Sequence, residues 1–263
     1  MKNILILIGG WHFPYKFYEQ ISKVRIPTGY NTKKVIVSHR NLEDDIVFEE
    51  KINYLNKNKK LHPIDRELYS QKLHKEDLEN WNISYQEYPN VIGDFYFISQ
   101  YFSDHTEIPD YLFFFHDDNY ILNLNIIADI VENNVDSYFF MKENKITKIK
   151  NDEWLHVGNC FYENTFTPRG SFNVFKKELL INMNSFLKFD NVSLHRTDLN
   201  YSPNPEDTTI LSNWNWVCKN FAKYMDSNKL KEKSYRLANI RRFSNYLLEC
   251  QRGFLTDVRL YEH

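Results

Sequence analysis

Between Tyr111 and Phe115 the chain runs Tyr-Leu-Phe-Phe-Phe, its most apolar stretch, and then stops against His116-Asp117-Asp118-Asn119. Consecutive apolar residues without polar alternation read as a strand buried on both faces, as in a parallel sheet covered by helices. A strand of that kind ending directly in adjacent carboxylates poses a physical problem. Like charges at the margin of a core repel each other and resist desolvation unless a cation or hydrogen-bond donors compensate. Open α/β sheets bind ligands outside the carboxyl ends of their strands. A divalent ion held by one or two carboxylates plus substrate phosphates is the usual arrangement for Mg²⁺ or Mn²⁺. The plainer alternative is an acidic turn in which Asp118 or Asn119 caps the next helix.

The preceding sequence supplies the rest of such a sheet. Ile4–Ile8 is a second uninterrupted apolar run, ending in Gly9-Gly10; Phe13, Phe17 and Ile21 then recur at helical spacing, and Lys34–Ser38 reads as another buried strand. The first 40 residues are therefore a β-α-β unit. Asn41–Asn80 is charged and amphipathic, with a loop at His62-Pro63; Asn82–Tyr88 is a short strand, and Asn90–Ser103 a helix opening on Gly93-Asp94. Beyond Phe115 the pattern predicts a helix over Ile121–Val131, a strand over Asp136–Met141, helical spacing over Phe172–Phe189, a loop over Asp190–Pro205, and a strong helix over Thr208–Met225.

Composition narrows the function classes. The chain has 263 residues, 42% of them hydrophobic and 16% aromatic, too apolar for a disordered polymer. A net charge of −2 leaves no electrostatic footprint for nucleic acid. No apolar run approaches the roughly 20 residues of a membrane helix, so no transmembrane segment is expected. The three cysteines, Cys160, Cys218 and Cys250, are widely spaced and read as reduced thiols, which suits a cytoplasmic protein with or without peripheral contact to a membrane. The 30 asparagines against three alanines read as coding bias. Only seven glycines are present, and none forms GxGxxG, GxxxxGK[ST] or GxSxG. A diphosphate would therefore be held by a route other than a glycine-rich loop.

An N-terminal β-α-β, an apolar strand ending in a DxD-like motif, and a more irregular second half resemble the GT-A fold of nucleotide-sugar glycosyltransferases, particularly the family-2-like enzymes. The resemblance implies an α/β fold: a single GT-A-like domain with a Rossmann-like, mostly parallel central sheet flanked by helices. Residues 1 to about 140 would form the nucleotide-sugar-binding half, and about 141 to 263 the acceptor half. It also implies a cation, Mn²⁺ or Mg²⁺, bound by Asp118 with His116. In one register the motif is His116-Asp117-Asp118 and in the other Asp117-Asp118-Asn119, so neither is a strict DxD. Asp117 would contact the nucleotide. Glu206-Asp207 precedes the Thr208 helix, where many inverting relatives place an acidic pair; by resemblance Asp207 is the general base, with Glu206 beside it, although an acidic helix start is also simply stabilising. Gly10, Trp11, Ser38, Arg40 and Asp94 stand where such a fold lines the base and ribose, and Glu43, Asp44 or Asp45 could add an acidic contact. His195-Arg196 could supply a late metal or diphosphate contact, and Trp154, His156, Arg169, Trp214 and Trp216 fall in the acceptor half.

The expected reaction moves a sugar from a UDP-, GDP- or dTDP-linked donor to a hydroxyl on a glycan, lipid-linked or protein acceptor, with inversion. Two rivals stand beside it. A sugar-nucleotide pyrophosphorylase would need a glycine-rich loop that Gly9-Gly10-Trp11-His12 does not supply. A non-catalytic carbohydrate-binding protein would need neither nucleotide nor metal.

Overall fold

The computed structural model describes residues 1–57, 63–88, 94–117, 119–132, 137–141, 168–182 and 247–249. In chain order these hold β1 (Lys2–Gly10), α1 (Tyr15–Lys23), β2 (Tyr30–Ser38), α2 (Asp45–Lys57), α3 (Pro63–Leu68), α4 (Lys75–Asn80) and β3 (Ile83–Glu87). There follow α5 (Asp94–Asp104), β4 (Tyr111–His116), β5 (Asn119–Ile121), α6 (Ile126–Glu132), β6 (Ser137–Met141), β7 (Pro168–Lys176), α7 (Lys177–Asn182) and β8 (Leu247–Glu249). A six-stranded sheet has the order β3-β2-β1-β4-β7-β6, and β5 pairs with β8 in a small separate sheet.

The first four strands of that order are mutually parallel, whereas β7 opposes both β4 and β6. Five of the six strands therefore run one way, and the mostly parallel α/β sheet expected from the apolar runs is what forms. Alternation along the strands divides the core in two. Ile4, Ile6 and Ile8 of β1 and Tyr111, Phe113 and Phe115 of β4 pack on one face with Phe17 and Ile21 of α1 and Ile126, Ile127 and Ile130 of α6. Leu5, Leu7, Leu112 and Phe114 pack on the other with Phe97, Ile98 and Tyr101 of α5 and Leu180 of α7. Both faces being covered is why these strands show no polar alternation.

Three expectations are corrected. Phe172–Phe175 lies in β7 rather than in a helix: Phe172 and Val174 face one core while Phe175 faces the other, a period of two that fits the helical template only loosely. Helix α6 begins at Ile126, because Ile121 is spent on β5 and Asn123 carries the turn that starts the helix. The charged stretch after residue 41, expected as amphipathic helix with a loop at His62-Pro63, holds three helices among the described residues, with Pro63 opening α3 and a further break between Leu68 and Lys75. In addition, β7 lies beyond residue 140 and still pairs with β4, so the sheet is not confined to the first half of the chain.

β1 sends its crossover through α1 to β2 on one side, while β4 lies on its other side. That reversal makes the β1/β4 boundary a topological switch point, where the loops after neighbouring strands part and leave a crevice.

Candidate functional site

The loop after β1, the turn after β2 and the end of β4 meet at this switch point. Gly9 is paired with Val37 of β2 and His116 of β4. A Cβ on Gly9 would lie 2.9 Å from the Phe97 ring. That notch lets Phe97 settle over β1, where it stacks on His39 at 4.4 Å between ring centroids and meets His116 edge-on at 6.2 Å. Gly10 is similarly enclosed: a Cβ would come within 2.7 Å of Ile36 Cγ2 and 3.0 Å of Phe13. The paired glycines thus answer to aromatic packing. Close approach of backbone to a ligand, which paired glycines also permit, is not needed to account for Gly10.

Asp117 is fully buried. Its Oδ2 accepts hydrogen bonds from three successive backbone amides, those of Trp11 at 2.8 Å, His12 at 2.7 Å and Phe13 at 2.7 Å. The Tyr18 hydroxyl donates to the same oxygen at 3.1 Å, and the Asp117 amide returns a bond to Gly9 O at 3.2 Å. Burial raises the carboxyl pKa, while the amide bonds and nearby His116 pull it back down. Phe13 holds φ of 50°, the left-handed region a non-glycine residue adopts only under outside constraint. The Asp117 carboxylate thus faces inward and shapes the β1–α1 loop.

Ser38 is fully buried too, its hydroxyl 2.7 Å from Gly10 O and accepting the Arg40 amide at 3.0 Å. The Tyr85 hydroxyl donates to Arg40 O; burial, then Glu87, pushes that phenol up to about 12. Ser38 therefore fixes the turn after β2. Arg40 itself reaches back across the crevice. Its guanidinium lies 4.3 Å from the Trp11 ring centroid, and Nη1 donates to Trp11 O at 3.3 Å.

His12 completes a basic rim. It is half-buried, and its pKa is held well below the ordinary value, first by burial and then by the positive charges of Lys51, Arg40 and His116. Its imidazole is therefore neutral near pH 7, amid three cationic or protonatable groups. The rim thus combines basic groups, aromatic faces and a rigid loop at the carboxyl ends of parallel strands. Such a place suits an anionic ligand with a planar part.

The structure therefore brings Trp11, Arg40 and His116 together at the rim, with Gly10, Ser38 and Asp117 beneath them. Asp94 opens α5, but its side chain is outside the described residues, as are Asp118, Glu206, Asp207, His195 and Arg196. The acids after β2 have local partners: Glu43 accepts the Lys75 amide, Asp44 the Ile46 amide, and Asp45 pairs with Lys72. Among the described residues no group of three His, Cys, Asp or Glu side chains converges as a metal cage. Sequence reasoning placed the loops that carry His12 and His39 at the site without singling those residues out, and it missed Lys51 and Phe97. The paired glycines were the signal for Phe97, because a doubled glycine ending an apolar strand marks a place where something large crosses it.

No family model matches the chain, and no curated protein matches it. Solved structures of S. aureus TarS are similar to it. Residues 1–349 of TarS match at 16% identity, covering 70% of this chain and 49% of that one, with a TM-score of 0.34. The same segment in complex with UDP matches at 14% identity and equal coverage, with a TM-score of 0.36. A further TarS structure matches at 14% identity over 69% of this chain and 29% of that one, with a TM-score of 0.34. The chain thus spans about half or less of the length of the chains it matches. Among the described residues no helix is long and apolar enough to cross a membrane.

Proposed function

We propose that the chain is a nucleotide-sugar glycosyltransferase that binds a nucleoside-diphosphate sugar in the β1/β4 crevice and transfers the sugar to a hydroxyl acceptor with inversion. One observation carries this reading. At the sheet's switch point a rigid loop presents Trp11 stacked on Arg40, with neutral His12 and with His116 and Lys51 in electrostatic reach. The basic groups suit the diphosphate, and the aromatic face suits the base. With Asp117 committed to the loop, the carboxylate left at the end of β4 is Asp118, with His116 as its neighbour. One carboxylate and one imidazole, completed by phosphate oxygens, fit Mn²⁺ or Mg²⁺. Such a cation would neutralise charge developing on the departing diphosphate. Asp207 is the proposed base, withdrawing the acceptor's proton as its oxygen attacks the anomeric carbon, and Glu206 flanks it.

The test is a thermal-shift and calorimetry panel of UDP-, GDP- and dTDP-sugars with and without Mn²⁺, followed by transfer assays. Expected results are stabilisation by one nucleotide class, loss of at least ten-fold in affinity in Arg40→Ala, and abolished transfer in Asp118→Ala and Asp207→Asn. The reading fails if no nucleotide binds under any condition, or if both acidic variants transfer at the wild-type rate. A glycan that binds in the absence of any nucleotide response would put the carbohydrate-binding alternative in its place.

A further inference from the structure

We infer that Asp117 is a positioning residue that acts on ligand through Trp11 and His12, holding the β1–α1 loop in its binding form before any ligand arrives. This rests on the nucleotide-binding reading of the crevice. The carboxylate is inaccessible, so it touches no ligand itself. It reaches across 99 to 106 residues of sequence to collect three successive amides and one phenol on a single oxygen.

Successive amides converge on one point only when the backbone curls, and here the curl is tight enough to put Phe13 in the left-handed region. A short loop left to itself would relax from that form, because its amides would turn to water and Phe13 to ordinary φ. A buried anion is a costly way to hold a loop. Its four donors offset that cost and define one conformation, which is the property a preformed binding loop requires.

The rim is braced from its other side as well. Ser38 and Tyr85 fix the backbone of Arg40, whose guanidinium lies against Trp11. Trp11 therefore stands between two buried anchors, Asp117 through its amide and Ser38 through Arg40. Asp129 and Glu132, the two acids of α6, pair with Arg25 instead.

The experiment is a double-mutant cycle between Asp117→Asn and Trp11→Ala, reading the Kd for UDP, GDP and dTDP. It is accompanied by ¹⁵N amide spectra of wild type and Asp117→Asn. Asparagine can keep a carbonyl oxygen where Oδ2 meets the amides, but it removes the charge that strengthens those bonds and places an NH₂ group at the buried Oδ1 position. Each single variant is expected to weaken binding at least ten-fold, with the pair no more than about two-fold worse than the weaker single, because both act through one loop. The amide signals of Trp11, His12 and Phe13 are expected to move while those of β3 stay. Wild-type affinity in a folded Asp117→Asn, or losses that multiply in the pair, would overturn the inference. Should Asp117→Asn not fold, Tyr18→Phe decides by the same cycle. Removing that single donor is expected to weaken binding two- to five-fold, and no change overturns the idea. If wild type binds none of the three nucleotides, the functional reading falls, while the loop signals still decide whether Asp117 sets the loop.

Discussion

Gly10→Ala tests the account of the paired glycines most sharply, because the competing terms can be set against each other. Gly10 does not have positive φ, so alanine fits its backbone. On that ground alone the substitution should stabilise by about 0.4–1 kcal/mol, through a less flexible unfolded chain. Against this stands the new methyl, placed 2.7 Å from Ile36 Cγ2, 3.0 Å from Phe13 Cε1 and 3.3 Å from the Tyr18 hydroxyl. Ile36 and Tyr18 are fully buried and Phe13 nearly so, and the Ile36 methyl branches from the Cβ of a strand residue whose χ1 is restricted. Overpacking of this kind costs about 1–3 kcal/mol. The net expectation is a loss of about 1–2 kcal/mol, or roughly 2–6 °C in Tm for a chain of this size. Denaturant unfolding supplies the free energy and a thermal scan the midpoint. Gly29→Ala is the control: no atom lies within 4 Å of its Cβ position, but φ is +87°. Its loss, about 1 kcal/mol, comes from backbone strain alone and should be smaller in Gly29→Asn, since asparagine tolerates that region. A Gly10→Ala protein as stable as wild type would refute the claim that packing demands the glycine, and would return the position to ligand approach.

Three further outcomes are expected. His12 has a folded pKa well below its ordinary 6.5, so the unfolded chain takes up a proton that the folded chain refuses. Stability should therefore fall as pH drops below 6.5, by at most about 1 kcal/mol over the first unit; His12→Gln should flatten this slope in a pH series of urea titrations. Phe115→Ala empties the space between Phe172, at 4.6 Å, and Phe17, at 6.1 Å, and should cost about 3–5 kcal/mol by the same denaturation assay. Arg40→Lys keeps the charge but loses the planar stack on Trp11, and should weaken nucleotide binding about three- to ten-fold by calorimetry rather than preserve it.

How much of this was legible in the sequence follows from the range over which each signal acts. The strands of the parallel core could be read because burial on both faces removes polar alternation, a property local to Ile4–Ile8 or Tyr111–Phe115. The antiparallel β7 could not. Its Phe172, Asn173, Val174 and Phe175 satisfy a period of two only once β4 and both core faces are in place. The site divides in the same way. The end of β4 announced itself, since a core strand stopping at two carboxylates demands compensation. What could not be read was the source of that compensation, because the amides of residues 11–13 are brought to Asp117 only by the parallel pairing of β1 with β4.

That pairing also alters what the motif asks of chemistry. In the sequence two adjacent aspartates pose one electrostatic problem, answerable by a cation or by hydrogen-bond donors. The structure shows the donors at Asp117. Four donors within the protein meet its Oδ2, while among the described residues its Oδ1 has no hydrogen-bond partner. In the proposed site the cation falls to Asp118 with His116 and the substrate's own phosphates. A site with so few protein ligands should bind its metal weakly without nucleotide and more tightly with it. Mn²⁺ titrations followed by calorimetry, with and without the nucleotide that binds, should give an apparent metal affinity at least ten-fold higher in the ternary complex. Equal affinity in the two conditions would mean that the chain alone holds the ion, and that the division of labour between Asp117 and Asp118 is wrong.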